Sequence, residues 1–293
     1  MTPSSTEHGP QLEEAVTTTP YVCPKCKGSL AVGNQILRCD ACERTYPVFH
    51  NIPDFIAEDL QHSVGLALQQ SSMFDRLAPI YETNLWYPVV MKLAGVKGIA
   101  SLRALLTMVE DLMGTVSGDV LDAACGPGTI GRRIARHSGT VFGIDISAGM
   151  LARGRTYSQR EHVTNMNFAR ARVEALPFAR ETFAAALCCG SLHLFEDTAV
   201  ALREIARTLK PGARLVGATF TVSNHGLLRF AKIRKRIEGR VFNVKKLGDS
   251  LSEAGFEDYR PRTYGSGLVF SVHRNGSSAD SFVDPLHTAR EAV

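Results

Sequence analysis

No apolar run in the chain approaches the roughly 18 residues that a membrane helix needs, and residues 1–20 carry neither a basic start nor an apolar stretch. A transmembrane segment and a secretory signal are therefore not expected, and a cytoplasmic location is. A strong charge of one sign is missing too. The 33 Lys and Arg and the 29 Asp and Glu leave a net charge of +4, too small an excess to imply a nucleic-acid partner by itself. No segment repeats, which removes solenoids and arrays.

What is present is an ordinary globular composition, 44% hydrophobic and 21% charged, on a chain longer than one average domain and too short for two large ones. Residues 1–20, rich in Thr, Ser, Pro and Glu, are expected to be disordered, and residues 275–293 form a similar tail. Between them, short apolar strands (119–123, 140–144, 167–171, 183–188 and 214–220) alternate with helical patterns such as 198–210, which Pro211-Gly212 ends. Such alternation predicts a parallel sheet with helices on both faces and a ligand crevice at the carboxyl ends of the strands. A short helix over 244–254 and two final strands, 256–264 and 267–273, read as a closing antiparallel pair. Ahead of the first strand, 60–73 and 88–113 carry apolar residues at three- and four-residue spacing, which predicts helices.

The most informative segment is Val120-Leu121-Asp122-Ala123-Ala124-Cys125-Gly126-Pro127-Gly128, followed by Gly143-Ile144-Asp145. It reads as strand, glycine turn, helix and second strand. Glycines let the backbone turn tightly and approach a ligand closely, and the free N–H groups of the following helix face that ligand. Asp145, at the tip of the second strand, is placed to accept both hydroxyls of a ribose. Gly126-x-Gly128-x-x-Gly131 also fits a dinucleotide fingerprint, a weak signal alone. Asp122 argues against it, because a carboxylate at the loop entrance suits an ammonium or sulfonium and repels a pyrophosphate.

With Glu174-Ala175-Leu176-Pro177-Phe178, with Arg207-Thr208-Leu209-Lys210-Pro211-Gly212 and with Met73-Phe74-Asp75-Arg76-Leu77-Ala78-Pro79-Ile80-Tyr81-Glu82, the segment resembles the class I S-adenosylmethionine-dependent methyltransferases, especially the ubiquinone and menaquinone C-methyltransferase branch. The resemblance covers about 73–272. It implies an α/β fold with a Rossmann-like seven-stranded sheet under a helical cap. It also implies that Asp122, Ala123, Cys125, Gly126 and Gly128 surround the methionine part of S-adenosylmethionine, with Tyr81 as cover. Asp145 would hold the ribose, and Ile146 and Met150 would lie against the adenine. Val173 and Glu174 would follow the third strand, and Cys189 would face the reactive sulfur. The chain departs from the family where Gly-Asp-Ala is usual: here Ala171-Arg172-Val173 stands, without the acid that accepts from the adenine amino group.

Cys23-Pro24-Lys25-Cys26 and Cys39-Asp40-Ala41-Cys42 are separated by twelve residues. Two such knuckles can set four thiolates tetrahedrally on one structural Zn²⁺, with the intervening residues as a hairpin turning at Gly33-Asn34. Metal binding would supply most of the folding energy of so small a ribbon, about 10–16 kcal/mol in comparable peptides. With Tyr46-Pro47-Val48-Phe49-His50-Asn51-Ile52-Pro53-Asp54-Phe55, the segment is similar to the small zinc-binding partner of tRNA and translation-factor methyltransferases. Stabilising the catalytic domain's edge is the preferred role. The organisation expected is therefore a ribbon over 21–57, a helical linker and cap over 58–117, and the cofactor-binding domain over 118–274. Of the neighbours Cys188 and Cys189, which point to opposite faces of a strand, one is expected in the core and one near the cofactor.

For methyl transfer, the candidate proton acceptor is His193 at the fourth strand tip, followed by Tyr81 and His225. Trp86, His193 and His225 are candidate contacts to a small-molecule acceptor such as a quinone, polyketide or terpenoid, methylated at carbon or oxygen. A nucleic-acid partner is disfavoured, because the ribbon has four basic and three acidic residues and Asn-Pro-Pro-Tyr is absent. The basic stretch Leu227–Lys246 keeps an RNA methyltransferase as an alternative, and a methyltransferase fold turned to cyclisation is another. Nothing in the sequence sets the oligomeric state.

Overall fold

The computed structural model describes residues 19–57, 72–76, 78–79, 86–99, 101–221 and 242–276. The sequence readings for Tyr81, His225, the basic stretch 227–241, most of the helix 60–73 and the two chain ends lie outside the described residues.

The ribbon is a four-stranded antiparallel sheet in the order β1 (Leu30–Gly33), β2 (Ile36–Cys39), β3 (Thr45–Phe49), β4 (Ile52–Pro53). Its hairpin does not turn at Gly33-Asn34. Gly33 pairs with Ile36, so the two-residue loop is Asn34-Gln35, and Gln35 itself takes the left-handed conformation at φ 58°. The sequence reading put the glycine in the turn because glycine most easily supplies a positive φ.

The second sheet has seven strands in the order β10-β11-β9-β8-β5-β6-β7. These are β5 (Val120–Ala123), β6 (Val141–Asp145), β7 (Met166–Arg170), β8 (Phe183–Cys189), β9 (Leu209–Phe220), β10 (Phe256–Tyr264) and β11 (Gly267–Arg274). The strands β5 to β9 run parallel, and β11 is antiparallel to both β9 and β10. Helices α3 (Thr129–Ile134), α4 (Ala148–Arg160) and α5 (Thr198–Thr208) follow β5, β6 and β8, and α6 (Val244–Glu253) precedes β10. Burial on both faces explains why β5 reads as a continuous apolar run broken only by Asp122. Val120, Val141, Leu187 and Val216 pack on one side with Val109 and Leu112. Leu121, Phe142, Ala186 and Leu215 pack on the other with Leu202 and Ile205.

The helix expected over 88–113 is two helices, α1 (Trp86–Ala94) and α2 (Leu102–Met113). Gly95 and Gly98 adopt φ 78° and 83° between them, a conformation that ends a helix. Val96 forms a bridge with Gly265 instead. The Ser101 hydroxyl then accepts from Ala104 N at 3.2 Å and restarts the helix. Among the described residues no helix is long and apolar enough to cross a membrane.

The ribbon sits on the outer strand β7. Asp54 bridges Arg170, and Phe55 N donates to Arg170 O at 2.8 Å. Tyr21 packs on Phe55 and Phe178, with ring centroids 5.4 Å away in each case, and on Phe142 at 6.1 Å. These rings join the ribbon to the α5 side of the sheet in one core. Truncating such a buried aromatic costs about 3–5 kcal/mol.

Candidate functional site

The four knuckle cysteines bring their sulfurs within 4.8 Å of one another. Cys23 Sγ lies 3.7 Å from Cys42 Sγ, and Cys26 Sγ lies 3.4 Å from Cys39 Sγ. A tetrahedron of Zn–S bonds of about 2.3 Å has edges of about 3.8 Å, so the donor set fits such an ion. The two knuckles repeat one backbone design. Lys27 N donates to Cys23 O and Glu43 N to Cys39 O, at 2.8 and 3.0 Å, and both residues have positive φ. Tyr46 Oη lies 3.1 Å from Cys23 Sγ. Burial pushes the Cys23 thiol up, but hydrogen bonds from Tyr46 and from the Cys26 and Lys25 backbone outweigh it and bring it to about 6, which favours thiolate.

A second constellation surrounds a cavity of about 330 Å³ at the carboxyl ends of the parallel strands. Asp122, Cys125, Gly126, Asp145, Ile146 and Met150 form one part of its wall. Val173, Glu174, Cys189 and His193 form another. Two residues expected there are elsewhere. Ala123 is fully buried in the sheet core, because strand alternation turns it away from Asp122. Gly128 is the left-handed residue before α3 (φ 70°), and a Cβ there would meet Met166 Cε at 2.6 Å. It shapes the turn rather than the wall. Trp86 starts α1, and Tyr87 and Met91 of that helix line the cavity. Cys188 is buried in the core and Cys189 faces the cavity, as the opposite faces of a strand require.

The two aspartates differ. Asp145 accepts from Gly126 N through Oδ2 and from Ser147 N through Oδ1, both at 2.8 Å. Burial raises its pKa and these N–H groups oppose the rise. Asp122 is only 3% exposed, and its Oδ2 has no hydrogen-bond partner. Burial pushes Asp122 up to about 7, against a hydrogen bond from Gly131, with the Asp145 charge adding to the rise. A cation beside Asp122 would relieve that burial.

Sequence reasoning missed several wall residues. Arg172, at the position where the family's acid is missing, pairs with Glu196 and, at 3.7 Å, with Glu174. Glu174 also accepts from Glu196 N at 3.0 Å. Val96 and Ile99 supply an apolar side, together with Leu102 and Leu105 of the helical cap that the family resemblance implies. Thr219 also lines the cavity, 4% exposed, with an Oγ1 that has no hydrogen-bond partner. Nothing in the sequence marks it. Asp75, in a short helical stretch over 72–76, accepts from Ser147 Oγ at 2.6 Å and Gly149 N at 2.8 Å, capping α4 from outside. Its neighbour Phe74 thereby faces the cavity. His193 sits in the short turn Leu192–Leu194, its ring edge-on to Phe220 at 5.3 Å.

Comparison with known proteins agrees with this geometry. A family profile described as a methyltransferase domain matches residues 120–212. The 2-phytyl-1,4-naphtoquinone methyltransferase of Trichormus variabilis is 30% identical over 164 residues, covering 54% of this chain and 67% of that protein. An uncharacterized chloroplastic methyltransferase of Arabidopsis thaliana is 23% identical over 286 residues, covering 89% of this chain and 80% of that protein. Among solved structures, the [4+2]-cyclase SpnF matches with a TM-score of 0.57 at 21% identity, covering 72% of this chain and 97% of that one, a likeness of fold. The sheet order, the glycine turn and the acidic strand tip define an enzyme class, the Rossmann-like methyltransferases. The chain belongs to the S-adenosylmethionine-dependent methyltransferase family that includes the quinone C-methyltransferases.

Proposed function

We propose that the cavity holds S-adenosylmethionine on its Asp122–Asp145 side and, against Val96, Ile99, Leu102 and Leu105, a flat apolar acceptor bearing an oxygen, such as a quinol. One observation carries the reading: Asp122 and Thr219, which line an otherwise largely apolar cavity, each keep a buried polar atom without a partner, Oδ2 and Oγ1. An unsatisfied buried polar group costs about 1–3 kcal/mol, and a ligand with a cation beside the Asp122 carboxylate and an oxygen beside the Thr219 hydroxyl offsets part of that cost. The quinone C-methyltransferases among the relatives support the same acceptor class.

S-adenosylmethionine supplies an electrophilic methyl on a positively charged sulfur. Asp145 holds the ribose once its N–H partners share it, and Ile146 and Met150 flank the adenine. Asp122 faces the positive methionine end. Arg172 and Glu174 form the rim where the adenine amino group would emerge. The protein's main contributions are alignment and exclusion of water. His193 accepts the proton that the acceptor loses, and Thr219 donates to the acceptor oxygen to fix the ring. The ribbon carries one structural Zn²⁺ on Cys23, Cys26, Cys39 and Cys42. Cysteines that serve a metal rather than disulfides support a reducing, cytoplasmic setting.

The test is incubation with S-adenosylmethionine and a reduced, prenylated 1,4-naphthoquinone, followed by mass spectrometry. A product heavier by one methylene on the ring carbon or its oxygen is the expected outcome. No transfer to any quinol, together with tight binding of RNA that weakens steeply with salt, would overturn the reading.

A further inference from the structure

The loop joining β7 to β8 contributes Ala171, Arg172, Val173 and Glu174 to the cavity wall. Both of its ends are held by the ribbon. At the upstream end, Asp54 Oδ2 accepts from Arg170 Nη1 at 2.9 Å, and Phe55 N donates to Arg170 O. The same guanidinium donates through Nε to Ile146 O at 2.9 Å, beside the ribose-holding Asp145. Arg170 therefore ties a ribbon carboxylate to the backbone of two neighbouring cavity segments. Asp54 is well placed to keep it there, being 6% exposed, with its other oxygen accepting from Ile56 N at 3.1 Å.

At the downstream end, Lys27 Nζ donates to Leu176 O and to Glu204 Oε2, both at 3.0 Å. That Glu204 oxygen also accepts from Leu176 N at 3.1 Å. Val22 N donates to Pro177 O at 3.0 Å. Lys27 follows Cys26 directly and is left-handed, so the fold of the first knuckle aims its side chain.

We infer that the ribbon is a clamp on the adenosine side of the cofactor site, with Asp54 and Lys27 as positioning residues acting through Arg170 and Leu176. The inference rests on the cofactor reading above. A loop pinned at both ends meets the cofactor already ordered, so binding does not have to freeze it. If the ribbon only covered the sheet edge, its polar contacts would govern stability and leave cofactor affinity alone.

The test uses the full chain loaded with metal. Asp54→Ala and Lys27→Met are compared with Asp54→Glu and Lys27→Arg by calorimetry with S-adenosylhomocysteine, by metal content, and by hydrogen exchange of residues 171–176. The expected result for the first two is at least a fivefold rise in Kd and faster exchange of that loop, with metal content unchanged and partial recovery in the conservative variants. Should Asp54→Ala fail to fold, Lys27→Met decides alone. Wild-type Kd and exchange in folded variants overturn the clamp. Asp145→Ala serves as the control: if it too leaves Kd unchanged, the cofactor site has been misplaced and the failure belongs to that reading.

Discussion

Replacing Asp122 by Asn separates what this carboxylate does for the fold from what it does for the ligand. Asn keeps the shape and can still accept from Gly131, but it cannot ionise. In the folded protein the Asp122 pKa rises from 3.8 to about 7 through burial. The sign follows from that direction. The protonated carboxyl favours the fold fully below 3.8, and the advantage is lost as pH rises through about 7. Each tenfold change in proton affinity is worth about 1.4 kcal/mol, so the full difference is roughly 4 kcal/mol against the ligand-free protein at high pH. Water entry and relaxation around the charge reduce this, and about 2 kcal/mol is the expected gap. Thermal unfolding without ligand should therefore show the variant and the wild type melting together at about pH 4 and separating as pH rises toward 7. At pH 8.5 the variant should melt about 4 °C or more higher. With saturating S-adenosylmethionine the order should reverse, because only the carboxylate gains from the ligand's positive charge. A variant that tracks the wild type at both pH values without ligand would refute the reasoning, since Asp122 would then not be a strained ion.

Three further outcomes are expected. Asp145→Ala should weaken S-adenosylmethionine binding at least tenfold, about 1.4 kcal/mol, as measured by calorimetry; unchanged affinity would remove Asp145 from the site. Metal analysis should find one zinc per chain, lost when Cys39 and Cys42 are both changed to Ser, and retention of stoichiometric metal in that variant would exclude the four-cysteine site. Thr219→Val should raise KM for a naphthoquinol acceptor about tenfold, consistent with one lost hydrogen bond, and leave the cofactor Kd within twofold. Thr219→Ser should restore the wild-type KM, and a Val variant with normal KM would show that the hydroxyl does not meet the acceptor.

The parallel strands and the glycine turn are legible in the sequence because each is a local pattern. An apolar run of four to seven residues, a turn that needs positive φ and a capped helix all fall within about thirty residues. The knuckle cysteines are legible for the same reason. Reading fails where two local signals compete or where the partner is remote. The periodicity over 88–113 is truly helical, yet Gly95 and Gly98 break it in favour of the bridge from Val96 to Gly265. Asn34-Gln35 turns the ribbon hairpin against the usual preference for glycine, with Gln35 itself left-handed. Lys27 meets Glu204 and Asp54 meets Arg170 across more than a hundred residues, beyond any periodicity. Thr219 looks like one more residue of a strand, and only its unsatisfied hydroxyl sets it apart.

The seat of the ribbon on β7 has a bearing on how copies of this protein can meet. An open sheet has two outer strands, each offering unpaired backbone to a neighbour. At β7 the bridge from Asp54 and the rings of Tyr21 and Phe55 crowd that side. The opposite outer strand, β10, carries Glu257, Asp258, Arg260 and Arg262, includes Pro261, and slips register between Glu257 and Arg260. Charge, proline and a bulge all spoil a flat template. Strand addition is thus discouraged at both margins of this sheet, and copies that meet would do so through helices or loops rather than by extending it.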